Sequence, residues 1–302
     1  MALATWMLAD GPPEEIEVDV DGHRMHCLVT GSGPALLLLH GLLGSAEAWL
    51  PCLPRLADES TLYAVDTLGI GRSERVPGLN AGLVAQADRM ARFMDAAGIH
   101  HADITGTSHG GAIALMLAAR HPERVRSLIL HAPANPFSNI ADPLLHFYRT
   151  PLGRWFGHQL PYLPASLQEL ALGRMYGNHH RHPVRDEVLA MYMRSLSVPG
   201  TVDHVLDILD RWFDDMRDLK AALSRIHNIP ILLIWGTRDR AVSFSSGLIL
   251  QKKLGNPEMT VIPDVGHLPF EEAPNAFADA VNMFLRKQER GETASRPHLV
   301  KN

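Results

Sequence analysis

The stretch "ADITGTSHGGAIALML" runs from Ala102 to Leu117 and gathers Gly106, Gly110 and Gly111 around Ser108. A short apolar run precedes it, and an Ala/Leu-rich pattern with helical spacing follows. A chain that passes from strand to helix without a loop must turn sharply, which forces the residue at the turn into an unfavourable backbone conformation. Residues without side chains on either side relieve the crowding. The G-x-S-x-G spacing therefore predicts a strand–turn–helix junction that presents the Ser108 hydroxyl at the carboxyl edge of a sheet, where open α/β sheets bind ligands. The helix amino end beyond it offers free N–H groups and partial positive charge, which favour a developing oxyanion. Such a motif is common by chance, so its weight depends on the rest of the chain.

Outward from this junction the pattern is strand–helix alternation. Upstream, "EEIEVDV" and "RMHCLVT" alternate polar and apolar residues around an Asp21-Gly22 turn, as a half-buried hairpin would. "ALLLLH" (Ala35–His40) is the continuous apolar run of a strand buried on both faces. A helical segment over 46–57 is expected, its regularity limited by Pro51 and Pro54. "TLYAVD" (Thr61–Asp66) is a strand, and Ala81–Ile99 has helical apolar spacing that ends near Gly98. Downstream, "RSLILHA" (Arg126–Ala132), "IPILLIWG" (Ile229–Gly236) and "EMTVIPDVGH" (Glu258–His267) read as strands, with helices over 244–254 and 274–287. This alternation predicts a doubly wound, mostly parallel sheet. Between the two halves the chain turns helical and aromatic, with Trp155, Phe156, Tyr162, Tyr176, Tyr192, Trp212 and Phe213, and reads as an inserted helical subdomain.

Composition narrows the classes. The 302 residues are 46% hydrophobic and 20% charged, which suits a globular chain with a sizeable core. A formal charge of -5 provides no basic face for nucleic acid. No apolar stretch reaches the roughly 20 residues of a membrane span. The start, "MALATWMLADGPPEE", lacks a basic region and is expected to be an ordinary terminus rather than a signal peptide. Two cysteines, Cys27 and Cys52, make no disulfide framework, so a reducing, cytoplasmic setting is expected.

A serine hydroxyl is a weak nucleophile near neutral pH and requires a base. Among seventeen histidines, His267 has the best context, in a loop after the last strand and before the last helix. The imidazole needs a carboxylate to fix its tautomer. Asp239 follows the preceding strand at the same edge, which gives the chain order Ser–Asp–His. Asp264 lies only three residues before His267 and is read as shaping that turn; Asp214, Asp215 and Asp218 fall in the helical insertion. An oxyanion hole needs two backbone donors: the N–H of His109 and, from "HGLLG" (His40–Gly44), that of Leu42, with His40 and Gly41 supporting the loop. The side chain of His109 either lines the site or packs against the turn.

The ordered set "LLLLHGLLG", "YAVDTLGIGRS", "GTSHGG", "LIWGTRDRAV" and "VGHLPFEEAP" resembles the α/β-hydrolase fold family, in the branch that carries a helical cap. The resemblance covers nearly the whole chain. It implies a core over 1–133 and 227–290 and a cap over 134–226; the polar tail over 291–302 is expected to be disordered. Cap-bearing epoxide hydrolases and haloalkane dehalogenases resemble this layout but place aspartate at the turn; serine at 108 points to attack on an acyl carbon. The resemblance thus implies a serine hydrolase that cleaves esters of small to medium acyl chain through an acyl-enzyme, without cofactor. A C–C bond hydrolase of vinylogous diketones is the alternative, although "HGLLGS" stands where its usual "HGxGPG" would be. Lactone cleavage, acyl transfer, perhydrolysis and a non-enzymatic binding module are further rivals. "NHHRH" (Asn178–His182) lacks carboxylates at ligand spacing and reads as solvated polar chain rather than a metal site. Gly69 and Gly71 open no helix with an acidic partner downstream, so no dinucleotide site is expected; Asp66 to Ser73 reads as support for the site wall.

Overall fold

Alternating residues make Glu14–Val20 (β1) and His23–Thr30 (β2) an antiparallel hairpin. Its turn, Asp21 at φ +59 and Gly22 at φ +80, has the two left-handed residues that a tight hairpin turn requires. The structure is a computed structural model and describes residues 11–139, 142–173, 175–177, 186–291 and 298–299. Next come β3 (Ala35–Leu39), α1 (Leu53–Leu56), β4 (Thr61–Val65), α2 (Leu83–Ala96), β5 (Ala102–Thr107), α3 (Ser108–Arg120) and β6 (Val125–His131). Among the described residues five α-helices follow: α4 (Asp142–Tyr148), α5 (Pro151–Gln159), α6 (Ala165–Gly173), α7 (Asp186–Leu196) and α8 (Thr201–Ala222). The chain then returns to β7 (Ile231–Gly236), α9 (Phe244–Lys253), β8 (Glu258–Ile262), α10 (Pro269–Glu272) and α11 (Pro274–Glu289). His298–Leu299 (β9) lies parallel to β8; the rest of the tail beyond Gly291 lies outside the described residues.

The strands form one sheet in the order β1-β2-β4-β3-β5-β6-β7-β8-β9, antiparallel only at β1–β2 and β2–β4. This is a doubly wound, mostly parallel sheet. Its apolar runs are continuous because both faces are covered: Leu37 and Leu39 join one core cluster with α2 and α3, while Leu36 and Leu38 join another with Trp49, Leu53 and α11. β6 and β7 pair directly, Leu128 opposite Ile231, although the five helices intervene in sequence. The insertion therefore leaves the carboxyl edge of the sheet at the end of β6, and the chain crosses back to the amino edge to begin β7. The helix expected over 46–57 is broken into a 3₁₀ turn at Ala46–Trp49 and the single turn α1, with Pro51 between them. α10 was not foreseen; Pro269 starts it within the loop after His267.

Candidate active site

Ser108 has φ +50, the left-handed region that side chains disfavour. Three glycines make the turn possible by close backbone approach. A Cβ on Gly106 would lie 2.5 Å from Gly110 O, one on Gly110 2.3 Å from Leu39 O, and one on Gly111 2.6 Å from Pro133 Cβ. The Ser108 carbonyl accepts a hydrogen bond from the Ala134 N–H at 2.8 Å, which fastens the turn to the segment after β6. The hydroxyl is therefore carried by strained backbone held by its surroundings.

The loop after β3 passes alongside. A Cβ on Gly41 would stand 3.5 Å from Ser108 Cβ. His40 is buried; its Nδ1–H donates to Gly41 O at 2.7 Å and its Nε2 accepts from the Thr67 N–H at 3.1 Å. Burial pushes the His40 imidazole below its ordinary pKa, and both ring nitrogens are engaged, so the side chain clamps the loop in place. Leu42 turns its side chain into an apolar cluster with Leu145, Leu206, Leu209 and Trp212 of the helical insertion. Asp66, buried, braces this wall: it accepts from His26 Nδ1 at 2.9 Å and from the N–H groups of Ala46 (2.6 Å) and Arg72 (2.9 Å).

On the other side of the site, Asp239 leaves β7 and His267 follows β8. Asp239 Oδ2 accepts from His267 Nδ1 at 2.8 Å, with the Asp239 side chain fully buried. Its Oδ1 accepts from the N–H groups of Ala241 (2.8 Å) and Val242 (3.0 Å). Burial alone would push this carboxyl up; the His267 charge, their hydrogen bond and the two N–H donors together hold it below the ordinary carboxylate value. Asp264, by contrast, pairs with Arg238 at 2.5 Å and takes a left-handed turn conformation at φ +59. Asp215 accepts the Leu83 N–H at 3.0 Å, and burial pushes it up to about 6. Asp214 pairs with Arg217 at 2.7 Å on the surface.

Two histidines gain definition. His109 is buried, and its ring stacks on Trp212 of α8 at 6.1 Å between centroids; burial and then the His40 and His204 charges push its pKa down to about 3. Its side chain packs between core and insertion. His131, at the end of β6, was missed by sequence reasoning; its only signal was a polar residue closing the apolar run "VRSLILH". Fully buried, it shares a hydrogen bond with Thr107 Oγ1 at 2.9 Å and lies 6.0 Å from the His267 ring. Burial, then the His267 charge, pushes it down to about 3, so it stays neutral. Thr107, the last residue of β5 and the neighbour of Ser108, thus stands in a row with His131 and His267.

Among the described residues no group of His, Cys, Asp and Glu could hold a metal ion. The "NHHRH" segment lies outside them. No described helix is long and apolar enough to cross a membrane.

A family model described as the alpha/beta hydrolase fold matches residues 34–274. The chain is 28% identical over 276 residues to a 2-hydroxymuconate semialdehyde hydrolase of Pseudomonas sp. (strain CF600), covering 89% of this chain and 93% of that one. It is 30% identical over 249 residues to a pimeloyl-[acyl-carrier protein] methyl ester esterase of Neisseria meningitidis serogroup B / serotype 15 (strain H44/76), covering 82% and 91%. Among solved structures, a bacterial membrane phospholipase A superposes with a TM-score of 0.75 at 27% identity, covering 92% of this chain and 87% of that one.

Proposed function

The chain belongs to the α/β-hydrolase fold family, and from that premise we propose that it is a serine hydrolase of carboxylic esters with small to medium acyl chains. The observation that carries this reading is the buried Asp239–His267 hydrogen bond at the sheet edge where Ser108 is held at φ +50. In the reaction, the Ser108 hydroxyl attacks the ester carbonyl while His267 takes its proton through Nε2. Asp239 holds the imidazole with Nδ1–H toward the carboxylate and stabilises the imidazolium that forms. The N–H groups of Leu42 and His109 receive the oxyanion; loss of one such donor typically costs about 100- to 1,000-fold in rate. His267 then protonates the departing alcohol, and water activated by the same imidazole releases the acid. All of this is done by side chains and backbone of this chain, with no metal or cofactor called for. The buried free thiols Cys27 and Cys52 support a reducing, cytoplasmic setting.

A second reading has its own support. The resemblance to a 2-hydroxymuconate semialdehyde hydrolase favours cleavage of a C–C bond by the same three side chains. The methyl ester esterase relative, and "HGLLGS" in the oxyanion segment, favour the ester. Ser108→Ala is expected to lower kcat on p-nitrophenyl esters by about 10⁴-fold or more with the fold unchanged by circular dichroism. Full activity in that variant rejects the nucleophile. A panel of esters and vinylogous diketones, compared by kcat/KM on the wild-type chain, decides between the two substrates.

A further inference from the structure

The turn that bears His267 is held from three directions. The Arg238 N–H, just past β7, donates to Val265 O at 2.9 Å. The His267 N–H donates to Met175 O of the helical insertion at 2.7 Å. The Glu272 carboxylate, at the end of α10, accepts from both flanking amides: Gly266 N–H at 2.9 and 3.1 Å, and Leu268 N–H at 3.4 Å. The same carboxylate accepts a further N–H, from Gly177 of the insertion, at 2.9 Å.

The two segments meet backbone to backbone. A Cβ on Gly177 would lie 2.5 Å from Gly266 N, and one on Gly266 would lie 2.2 Å from Gly177 N. No side chain can stand between them. Tyr176 adds its hydroxyl to Glu271, beside Glu272. Partial burial of a carboxylate is costly in itself, and here, offset in part by these N–H bonds, it pushes Glu272 above the ordinary carboxylate value. A plain helix cap would need no such placement, since its donors would lie at the start of one helix. Here the donors bracket His267 and include a residue of the insertion.

We propose that Glu272 is a positioning residue that ties the Met175–Gly177 strap of the helical insertion to the His267 turn, so that the imidazole is in working position only while the insertion is seated on the core. The inference rests on the reading of His267 as the base for Ser108. Seating of the insertion and alignment of the base then become one event. A substrate that enters by lifting the strap meets a misplaced base until the strap closes over it.

The test uses the full chain with Gly177→Ala, Glu272→Gln and the double variant. The amide of Glu272→Gln retains one acceptor oxygen for the His267 turn and turns a donor toward Gly177. Each single variant is expected to lower kcat on a p-nitrophenyl ester by about 10- to 100-fold, the scale of a misplaced catalytic group. KM is expected to stay within about three-fold, and fluorophosphonate labelling of Ser108 to slow by the same factor as kcat. The double variant is expected to be no worse than the weaker single one, because both cut the same connection. In the wild-type chain the amides of Gly177, Gly266, His267 and Leu268 are expected to share one hydrogen-exchange protection.

Singles with kcat within about two-fold of wild type but a lowered Tm overturn the proposal, as do multiplicative losses in the double variant. If a variant fails to fold, hydrogen exchange of the wild-type chain decides: fast exchange at Gly177 beside protected 266–268 amides overturns the coupling. Inactive Ser108→Ala and His267→Ala controls beside active Gly177→Ala and Glu272→Gln overturn the coupling alone. Activity that survives Ser108→Ala overturns the reading beneath it.

Discussion

At Asp239 the hydrogen bonding of the candidate site is concentrated in one carboxylate. One of its oxygens meets His267 and the other is saturated by two backbone N–H groups, so the group cannot rotate to serve a different partner. The arrangement fixes which imidazole nitrogen carries the proton. Asp239→Asn keeps the shape and presents either an N–H or a neutral oxygen to Nδ1; kcat is expected to fall about 10⁴-fold, with KM nearly unchanged. A steady-state kcat within ten-fold of wild type would assign the orienting role elsewhere. Asp264 was the sequence rival for this position, and its ion pair with Arg238 and turn geometry direct it away from His267. Ser108 shows the other side of residue-scale design: its strain persists because Gly106, Gly110 and Gly111 let three backbones close on it.

At the scale of elements, the wall opposite His267 depends on Asp66. It joins β2 through His26, the segment after the His40–Gly44 loop through Ala46, and the following loop through Arg72. Gly71, at φ +59, has no room for a side chain because a Cβ would lie 2.2 Å from the Asp66 carboxyl carbon. Burial opposes ionisation of Asp66, but the His26 bond, the His40 charge and the N–H donors outweigh it and hold its pKa below the ordinary 3.8. The sign follows from linkage: a carboxyl depressed in the folded state adds its stability above the unfolded value and loses it as pH falls through the folded value. Asp66→Asn is therefore expected to be clearly less stable than wild type near pH 7. In urea melts the gap should narrow as pH drops below about 3.8. A gap that is constant from pH 7 to pH 3 would remove the carboxylate charge from the account.

At the scale of the whole molecule, the helical insertion is not a separate body. Met216 and Leu219 of α8 lie in the same core cluster as α2 and α3, and Asp215 receives the Leu83 N–H at the start of α2. A Cβ on Gly69 would lie 2.4 Å from the His204 ring, so α8 also rests directly on the loop after β4. Leu219→Ala is expected to cost about 2–5 kcal/mol, the usual range for a fully buried leucine. Calorimetry should show one transition moved to lower temperature. A new early transition confined to the insertion, with the main one unmoved, would contradict this shared core.

The sequence by itself determined what local physics can encode. Apolar runs of strand length could only be buried on both faces, which specified the parallel sheet; glycines around Ser108 specified the sharp turn; chain order at the strand ends singled out Asp239 and His267, which the fold joins at 2.8 Å. Only the tertiary structure decided matters that depend on distant segments meeting. His131 beside His267, His109 against Trp212, and Glu272 between Gly177 and Gly266 leave no periodic trace, because each contact is made by a single residue whose partner lies far along the chain. Spacing reports what neighbours in sequence will do; a buried hydrogen bond across two segments exists only once the core has brought them together.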